Sequence, residues 1–569
     1  MQRTIGRNFY LGLGLAVVLI AALGFVSYTG VVNITGQANA AKVEPKYGGT
    51  IYAGLRLSGI DPKGFDPGTG NYYTDNWTSF FAEKLMAGDW SKSAMGTNEY
   101  GFNDTEWFPP RALKGYLAES WEWTDPLTLV FKLRKGIKFQ NRPPVNGREF
   151  TSEDVAYSWD RLLKNKRLGK TRYAGLKSIS TPDKYTVVFK MNKFQADWRF
   201  TFGYGGYNGI YPREMVEAGP DDWKNACGTG PYWVSDYVRG NSVTFVKNPD
   251  YWGTEILGGK EYKLPFADKI IVPIIRDSAT RLAALRTGRV DMLYSIPWSE
   301  VESLQKSNPN LGKKEYLRLN NLQLFFKMAT KPFNDVRVRK AMNMALDRDA
   351  MGKTLYGGKY EPLMMSFYAS WGEELYTPIE KLPPDVGEAF KYNPERAKQL
   401  LAEAGYPKGF TTKLVYPGPY DSLVQMMVAY FSQIGVTVNQ RTVESGQIWS
   451  IAGNRDWEGM IGFPFGESGP LLMLQFLMPG EYWNAGEVND KKLIEMYDDA
   501  RHTRDWGECQ RKLKAANVQS LRVLPWVTPP NAYAFNYWQP WLGGFHGEDC
   551  AGFWNPAPVM ARIWTHRKK

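Results

Sequence analysis

The period of hydrophobic and polar positions changes several times along the chain, and these changes mark out mixed α/β material. In residues 125–136 (DPLTLVFKLRKG), Leu127, Leu129, Phe131 and Leu133 alternate with more polar neighbours. This is the pattern of a half-buried strand closed by a turn at Lys135-Gly136. Tyr185, Val187 and Phe189 repeat it. Between the two, Thr151-Ser152-Glu153-Asp154 offers a hydroxyl cap with an acid three residues on, and Val155, Trp159 and Leu162 follow at helical spacing. Near the start, Gly48-Gly49 predicts a turn into a short strand at residues 50–55, and a Gly/Pro/Asp-rich loop is expected over 58–70.

Helices and strands alternate more plainly in the second half. Residues 276–291 (RDSATRLAALRTGRVD) predict an amphipathic helix ending near Gly288, and Val338, Ala341, Met342 and Ala345 form an apolar stripe behind the cap Asn334-Asp335. A third helix starts at Asn393 with Pro394 in its first turn, carries Ala397, Leu400, Leu401 and Ala404 on one face, and stops at Gly405. A strand at 412–416, a helix over 423–434 and a β-rich stretch at 436–443 follow. The chain end is dense in Trp, Pro and Gly, and no fixed-period repeat is present.

The N-terminus reads differently. Arg3 and Arg7 precede the apolar run 11–26, and Ala38-Asn39-Ala40 offers a small-residue cleavage site, so residues 1–40 are expected to be a secretory signal. An uncleaved N-terminal membrane anchor is the alternative, because the site lies well downstream and 9–28 nearly suffices to span a bilayer. Either way the rest is expected to be exported, periplasmic or extracellular. At 569 residues, 43% of them hydrophobic, the chain has material for a few domains with large cores. The formal charge is +12, but short clusters such as 164–170 (KNKRLGK) read as solvated surface, so no nucleic-acid partner is expected.

Several chemistries lack their parts. Only His502, His546 and His566 are present, too few for a metalloprotease helix or a Cys2His2 site, so neither a metal nor another cofactor is expected. Gly169-Lys170-Thr171 and Gly352-Lys353-Thr354 end like phosphate loops but lack the earlier glycine. Ser468 sits in an incomplete nucleophile elbow, and the Ser303/Lys306 pair lacks companion motifs. An exported hydrolase using either serine is the weaker reading, and a sensory or chaperone role is a further rival. Of the three cysteines, Cys227 adjoins a Gly-Thr-Gly turn, while Cys509 and Cys550 could form a bridge in an oxidising compartment.

Ten separated segments in order resemble the extracellular solute-binding proteins of family 5, the peptide- and nickel-type binding components of ABC importers. They are Gly48-Gly49-Thr50-Ile51, Ala118-Glu119-Ser120-Trp121, the run at 131–139 (FKLRKGIKF), the run at 150–155 (FTSEDV), Gly228-Thr229-Gly230-Pro231-Tyr232, Asn248-Pro249-Asp250-Tyr251-Trp252, Gly288-Arg289-Val290-Asp291, the run at 332–341 (PFNDVRVRKA), Leu346-Asp347-Arg348 and the run at 400–406 (LLAEAGY). The likeness extends from about residue 47 to the C-terminus. Most of these segments read as scaffold, with unusual glycine angles and a rigid proline fixing the turn at 228–232.

The resemblance implies a bilobed α/β periplasmic-binding-protein fold with an additional inserted domain. Domain I would combine 45–90, 195–315 and 538–569; domain II would span 91–194 and domain III 316–537. Two hinged lobes would close over a solute without bond chemistry and present it to membrane permease subunits, so the chain is not expected to be an enzyme; a monomer is the default. An oligopeptide or peptide-like ligand is the first expectation and a non-peptide solute such as an oligosaccharide the second. Peptide-binding members hold the α-ammonium with an aspartate after a Gly-Trp pair; here Gly466 occupies that place and Glu467 follows. Cleft residues expected from the resemblance and side-chain chemistry are Tyr72, Tyr73, Asp75 and Asn76 in the loop after Asp66-Pro67, Phe463, Phe465, Gly466 and Glu467 in the substituted run, and Trp483 and Asn484 beyond it.

Overall fold

The computed structural model describes residues 44–569 except 57, 103–106, 166–167, 169–171, 174, 319, 363–366, 467–468, 550–554 and 568–569. The apolar run at 11–26, the cleavage site at 38–40 and Cys550 therefore lie outside the described residues. Among those described, no helix is long and apolar enough to cross a membrane.

Three sheets carry most of the described strands. The largest is eight-stranded, built around Thr50–Gly54, which runs parallel to both Lys269–Pro273 and Met292–Pro297. Gly48 and Gly49 make the entry turn with φ of 98° and 85°, and the Gly48 N–H donates to the Phe266 carbonyl at 2.8 Å. Antiparallel neighbours extend this sheet to Tyr232–Val238 on one side and Gly312–Leu317 on the other. The second sheet is an antiparallel four-stranded unit, Ala118–Asp125, Thr128–Leu133, Thr186–Met191 and Leu176–Asp183. Thr128–Leu133 is an inner strand and is buried at every position but Lys132, more deeply than alternation predicts. The third has five strands, with Phe410–Pro417 parallel to Val436–Val443 and Met460–Gly466, and Asn320–Phe326 antiparallel to the last.

Caps set the helices as the sequence predicts. Asp277, Asp335 and Asn393 each accept a first-turn N–H, at Thr280, Arg337 and Arg396. Ser278–Arg286 is shorter than the predicted helix because Gly288 turns out at φ 69°. Val338, Ala341 and Met342 of Val336–Met344 join Ala397, Leu400 and Leu401 of Pro394–Glu403 in one apolar core. Truncating a fully buried leucine there costs about 2–5 kcal/mol.

Four of the segments that carry the resemblance, at 228–232, 248–252, 332–341 and 346–348, serve as scaffold. Buried Arg339 donates to the Phe333 carbonyl (2.7 Å) and the Val523 carbonyl (2.8 Å), while buried Arg348 donates to those of Thr528 (2.8 Å) and Asn343 (3.1 Å). Such guanidinium forks satisfy backbone acceptors that water cannot reach. Tyr251 and Trp252 both donate to the buried Glu83 carboxylate at 2.8 Å. Gly228 and Gly230 are required for close approach rather than unusual angles: a Cβ would stand 1.9 Å and 2.5 Å from the carbonyl oxygens of Phe81 and Phe80.

The chain passes from Gly312–Leu317 into Asn320–Phe326, and returns from Trp526–Val527 into Asn531–Trp538. These two crossings connect the largest sheet to the five-stranded one. They are tied side by side, since the Arg318 N–H donates to the Ala532 carbonyl at 3.4 Å and the Asn531 amide donates to the Arg318 carbonyl.

Candidate functional site

A small, partly open cavity with about 30 Å³ of free space lies where four distant segments meet: residues 107–113, 196–204, 469–472 and Trp506. Each segment is held by local chemistry. Pro110 opens a single 3-10 turn, fixing the chain just after Trp107-Phe108. The Phe108 N–H donates to the Tyr204 hydroxyl at 3.0 Å, and the two rings stack with centroids 5.6 Å apart. Tyr204 ends a π-helical turn, Arg199–Tyr204, a rare geometry often found at functional sites. Pro470 starts the helix Pro470–Gln475. Before it, Gly469 leaves room for Trp107: a Cβ would lie 2.3 Å from the indole Cδ1. Trp107 also packs on Trp371 and Trp506, at 5.6 and 6.5 Å.

Two opposite charges line this aromatic chamber. The Arg199 guanidinium lies 4.4 Å over the Trp198 ring and has no carboxylate partner among the described residues. Burial lowers its pKa, although an arginine remains protonated. Asp197 has a buried carboxylate oxygen, Oδ1, without a hydrogen-bond partner. Arg501, Tyr497 and Cys509 all feel its charge. Burial opposes the Arg501 charge, but Tyr497, Asp197, Glu481 and Asp498 together raise its pKa; burial, set against Arg501, raises that of Tyr497. The Ala196 N–H donates to the Arg501 carbonyl at 2.8 Å and fixes this group behind the cavity.

The expected cleft residues fall in three places. Tyr72, Tyr73, Asp75 and Asn76 occupy a helix, Tyr72–Thr78, not a loop, because Asn71 caps it by accepting from the Tyr73 N–H at 2.9 Å. Asp75 and Asn76 are buried. Lys84, also buried, donates to Asp75 at 3.3 Å; desolvation raises the Asp75 pKa while Lys84 opposes it. Tyr73 is half-buried and burial raises its pKa. Phe463 and Trp483 belong to an aromatic cluster with Trp449, at 6.0, 4.6 and 5.2 Å between ring pairs. Asn484 clips its own loop: its amide donates to the Met478 and Val488 carbonyls and accepts from the Val488 N–H. Direction-giving contact with a solute is thus not the role its hydrogen bonds serve.

Gly466 has φ of 143° and ends the strand opposite Asn320. An aspartate there would be strained, a backbone reason for the substituted residue. The side chains of Tyr72 and Phe465, and all of Glu467, lie outside the described residues. The run 462–470 nevertheless leads into the cavity wall at Gly469-Pro470. The sequence reading missed Trp107, Asp197, Arg199, Tyr204, Pro470 and Trp506. Their one common signal is charge interleaved with aromatics, as in Asp197-Trp198-Arg199-Phe200.

Among the described residues no cluster of three potential metal ligands occurs. Cys509 is a free buried thiol donating to the Ala500 carbonyl, so it forms no bridge to Cys550; Cys227 is likewise free and buried. Ser303 accepts a hydrogen bond at 2.8 Å from Arg286, which also reaches the Glu300 carboxylate at 3.5 Å.

The three sheets and their crossings define a mixed α/β periplasmic binding-protein fold. The description "Bacterial extracellular solute-binding proteins, family 5 Middle" matches residues 112–464, and the chain belongs to that family. It is a solute-binding protein of an ABC-type importer, in a family of binding proteins rather than enzymes. Heme-binding protein A of Haemophilus influenzae is 27% identical over 470 residues, which cover 75% of this chain and 81% of that protein. The periplasmic binding protein DppA of Helicobacter pylori, solved with the peptide STSA, superposes with a TM-score of 0.74 at 22% identity, covering 92% of this chain and 99% of that one. AgaA of A. tumefaciens R10, solved with agropinic acid, gives 0.71 at 21% identity over 92% and 99%.

Proposed function

We propose that the chain captures a small solute, an oligopeptide or peptide-like molecule first, in the chamber around Trp107, Arg199 and Pro470. It would act outside the cytoplasmic membrane and hand the solute to permease subunits. The observation that carries this reading is the chamber itself, whose walls come from four segments distant in sequence and hold two charges without ion-pair partners among the described residues. Free space of about 30 Å³ suits about one water, so a solute enters only if the walls part. Hinge opening at the paired crossings near 318 and 530 would supply that motion.

The sheet composition supports the three-part division proposed above. Strands at 50–54, 232–247, 269–273, 292–297, 312–317 and 531–538 share one sheet, those at 118–133 and 176–191 a second, and those at 320–326, 410–417, 436–443, 460–466 and 526–527 a third, so the strand at 531–538 joins the first sheet although the expected third domain runs to 537. A peptide ligand is in keeping with DppA and its bound STSA. The aromatic walls favour a second reading, a non-peptide solute with a flat apolar or sugar face, in keeping with AgaA and agropinic acid. Mass spectrometry of small molecules released by denaturing the purified protein tests both. A peptide supports the first reading and a sugar or opine the second; no retained solute, together with no thermal stabilisation by any member of a broad solute panel, would sink solute capture.

A further inference from the structure

We propose that Asp197 and Arg199 are the specificity-determining pair of this chamber, selecting a solute that carries both a cationic and an anionic group. The inference rests on the capture reading and adds the charge pattern of the ligand. Both side chains line the same cavity. They lie two residues apart, and among the described residues Asp197 Oδ1 has no hydrogen-bond partner although Arg501 is within electrostatic range. Charges placed in a wall for stability alone gain by pairing, because an unpartnered buried oxygen forfeits its solvation. Asp197 leaves its Oδ1 buried and without a hydrogen-bond partner among the described residues, on a residue that lines the cavity. Arg199 is the mirror case: its guanidinium rests on Trp198, with donors available for an anion.

The surroundings favour a cation at the Asp197 end. Arg501 is the neighbouring guanidinium, but its charge is shared among Asp197, Glu481 and Asp498. Gln195, in the same segment and 3% exposed, also has an acceptor oxygen without a donor. Trp107, Phe108 and Tyr204 line the same cavity as Arg199, giving a solute body an apolar seat. The complementary molecule is therefore dipolar, an ammonium at one end and a carboxylate or similar anion at the other. Neither charge depends on the place occupied by Gly466.

The test uses the protein as the cell exports it, equilibrated with an enzymatic casein digest, passed rapidly through gel filtration and denatured for mass spectrometry. Retained species should carry both charges. Asp197→Asn should lower their recovery tenfold or more, and Arg199→Gln should do the same, with circular dichroism melts showing both variants folded. Should one variant fail to fold, the other still decides, and Arg199→Lys should recover part of the binding. Retained species lacking a cationic group, or equal recovery from wild type and variants, would overturn the pair while leaving solute capture intact. Retention of nothing by the wild type would overturn both.

Discussion

Single residues set the shape of the chamber and the pH response of the fold. Gly469→Ala would drive a methyl group into the Trp107 indole, whose Cγ and Cβ lie 2.9 and 3.2 Å from the new atom, so no flexible end can yield. Overpacking of this kind costs about 1–3 kcal/mol. Calorimetric titration with the retained solute should show weakened binding alongside a lower Tm, and unchanged affinity would place Trp107 outside the site. Away from the chamber, Lys184, Tyr185 and the Gly136 N–H pull the Glu149 pKa down from 4.5 to about 2. A depressed carboxylate stabilises the fold above its unfolded pKa and loses that contribution as pH falls toward the folded value. Glu149→Gln should therefore lower the Tm at pH 6 and leave it unchanged near pH 2; a constant difference at both pH values would contradict this. Cys509, pushed up to about 12 by burial, should resist iodoacetamide in the native protein and react fully once unfolded, and peptide mapping without reductant should find it unbridged.

At the level of elements, the rim beside the chamber holds a clasp. Arg504 follows the helix Lys491–Arg501 and lies 5.0 Å from the Trp123 ring and 4.6 Å from that of Phe194, while donating to the Pro126 carbonyl. Lys193 and Asp498 stand 4.0 Å apart alongside. If closure brings these elements together, Arg504→Ala removes about 1–2 kcal/mol from the closed state, roughly five- to thirty-fold in the closed-to-open ratio. Stopped-flow release of the retained solute should accelerate by that factor, and an unchanged rate would show that the clasp is not broken on opening. Element identity was largely legible in the sequence, because caps such as Asp335 and Asn393 act within one turn of their helices. The helix at 72–78 was not: Asn71 caps it, but its seven residues, rich in aromatic and β-branched side chains, are too short to show a helical period. The site was still less legible. Its walls come from short stretches near 107, 197, 470 and 506, with no periodicity of their own, and Arg199–Tyr204 adopts a π-helical turn without a sequence signature.

For the whole molecule, the paired crossings matter most. Asn531 is buried and ties the return strand to Arg318, so the two connections move as one. Flexing there would part the aromatic walls without disturbing either large core, which is how so small a cavity could admit a solute. The family segments do not describe this site; Arg339, Arg348 and the Tyr251-Trp252 pair stitch the scaffold, so the resemblance identified the fold more readily than the ligand. The most direct measurement is small-angle scattering of the protein stripped of solute by unfolding and refolding, before and after return of its own released small-molecule fraction. The radius of gyration should fall as the fraction is added, and the added molecules should be recovered with unaltered masses. Identical profiles in both states, or steady conversion of the returned molecules, would contradict capture by closure.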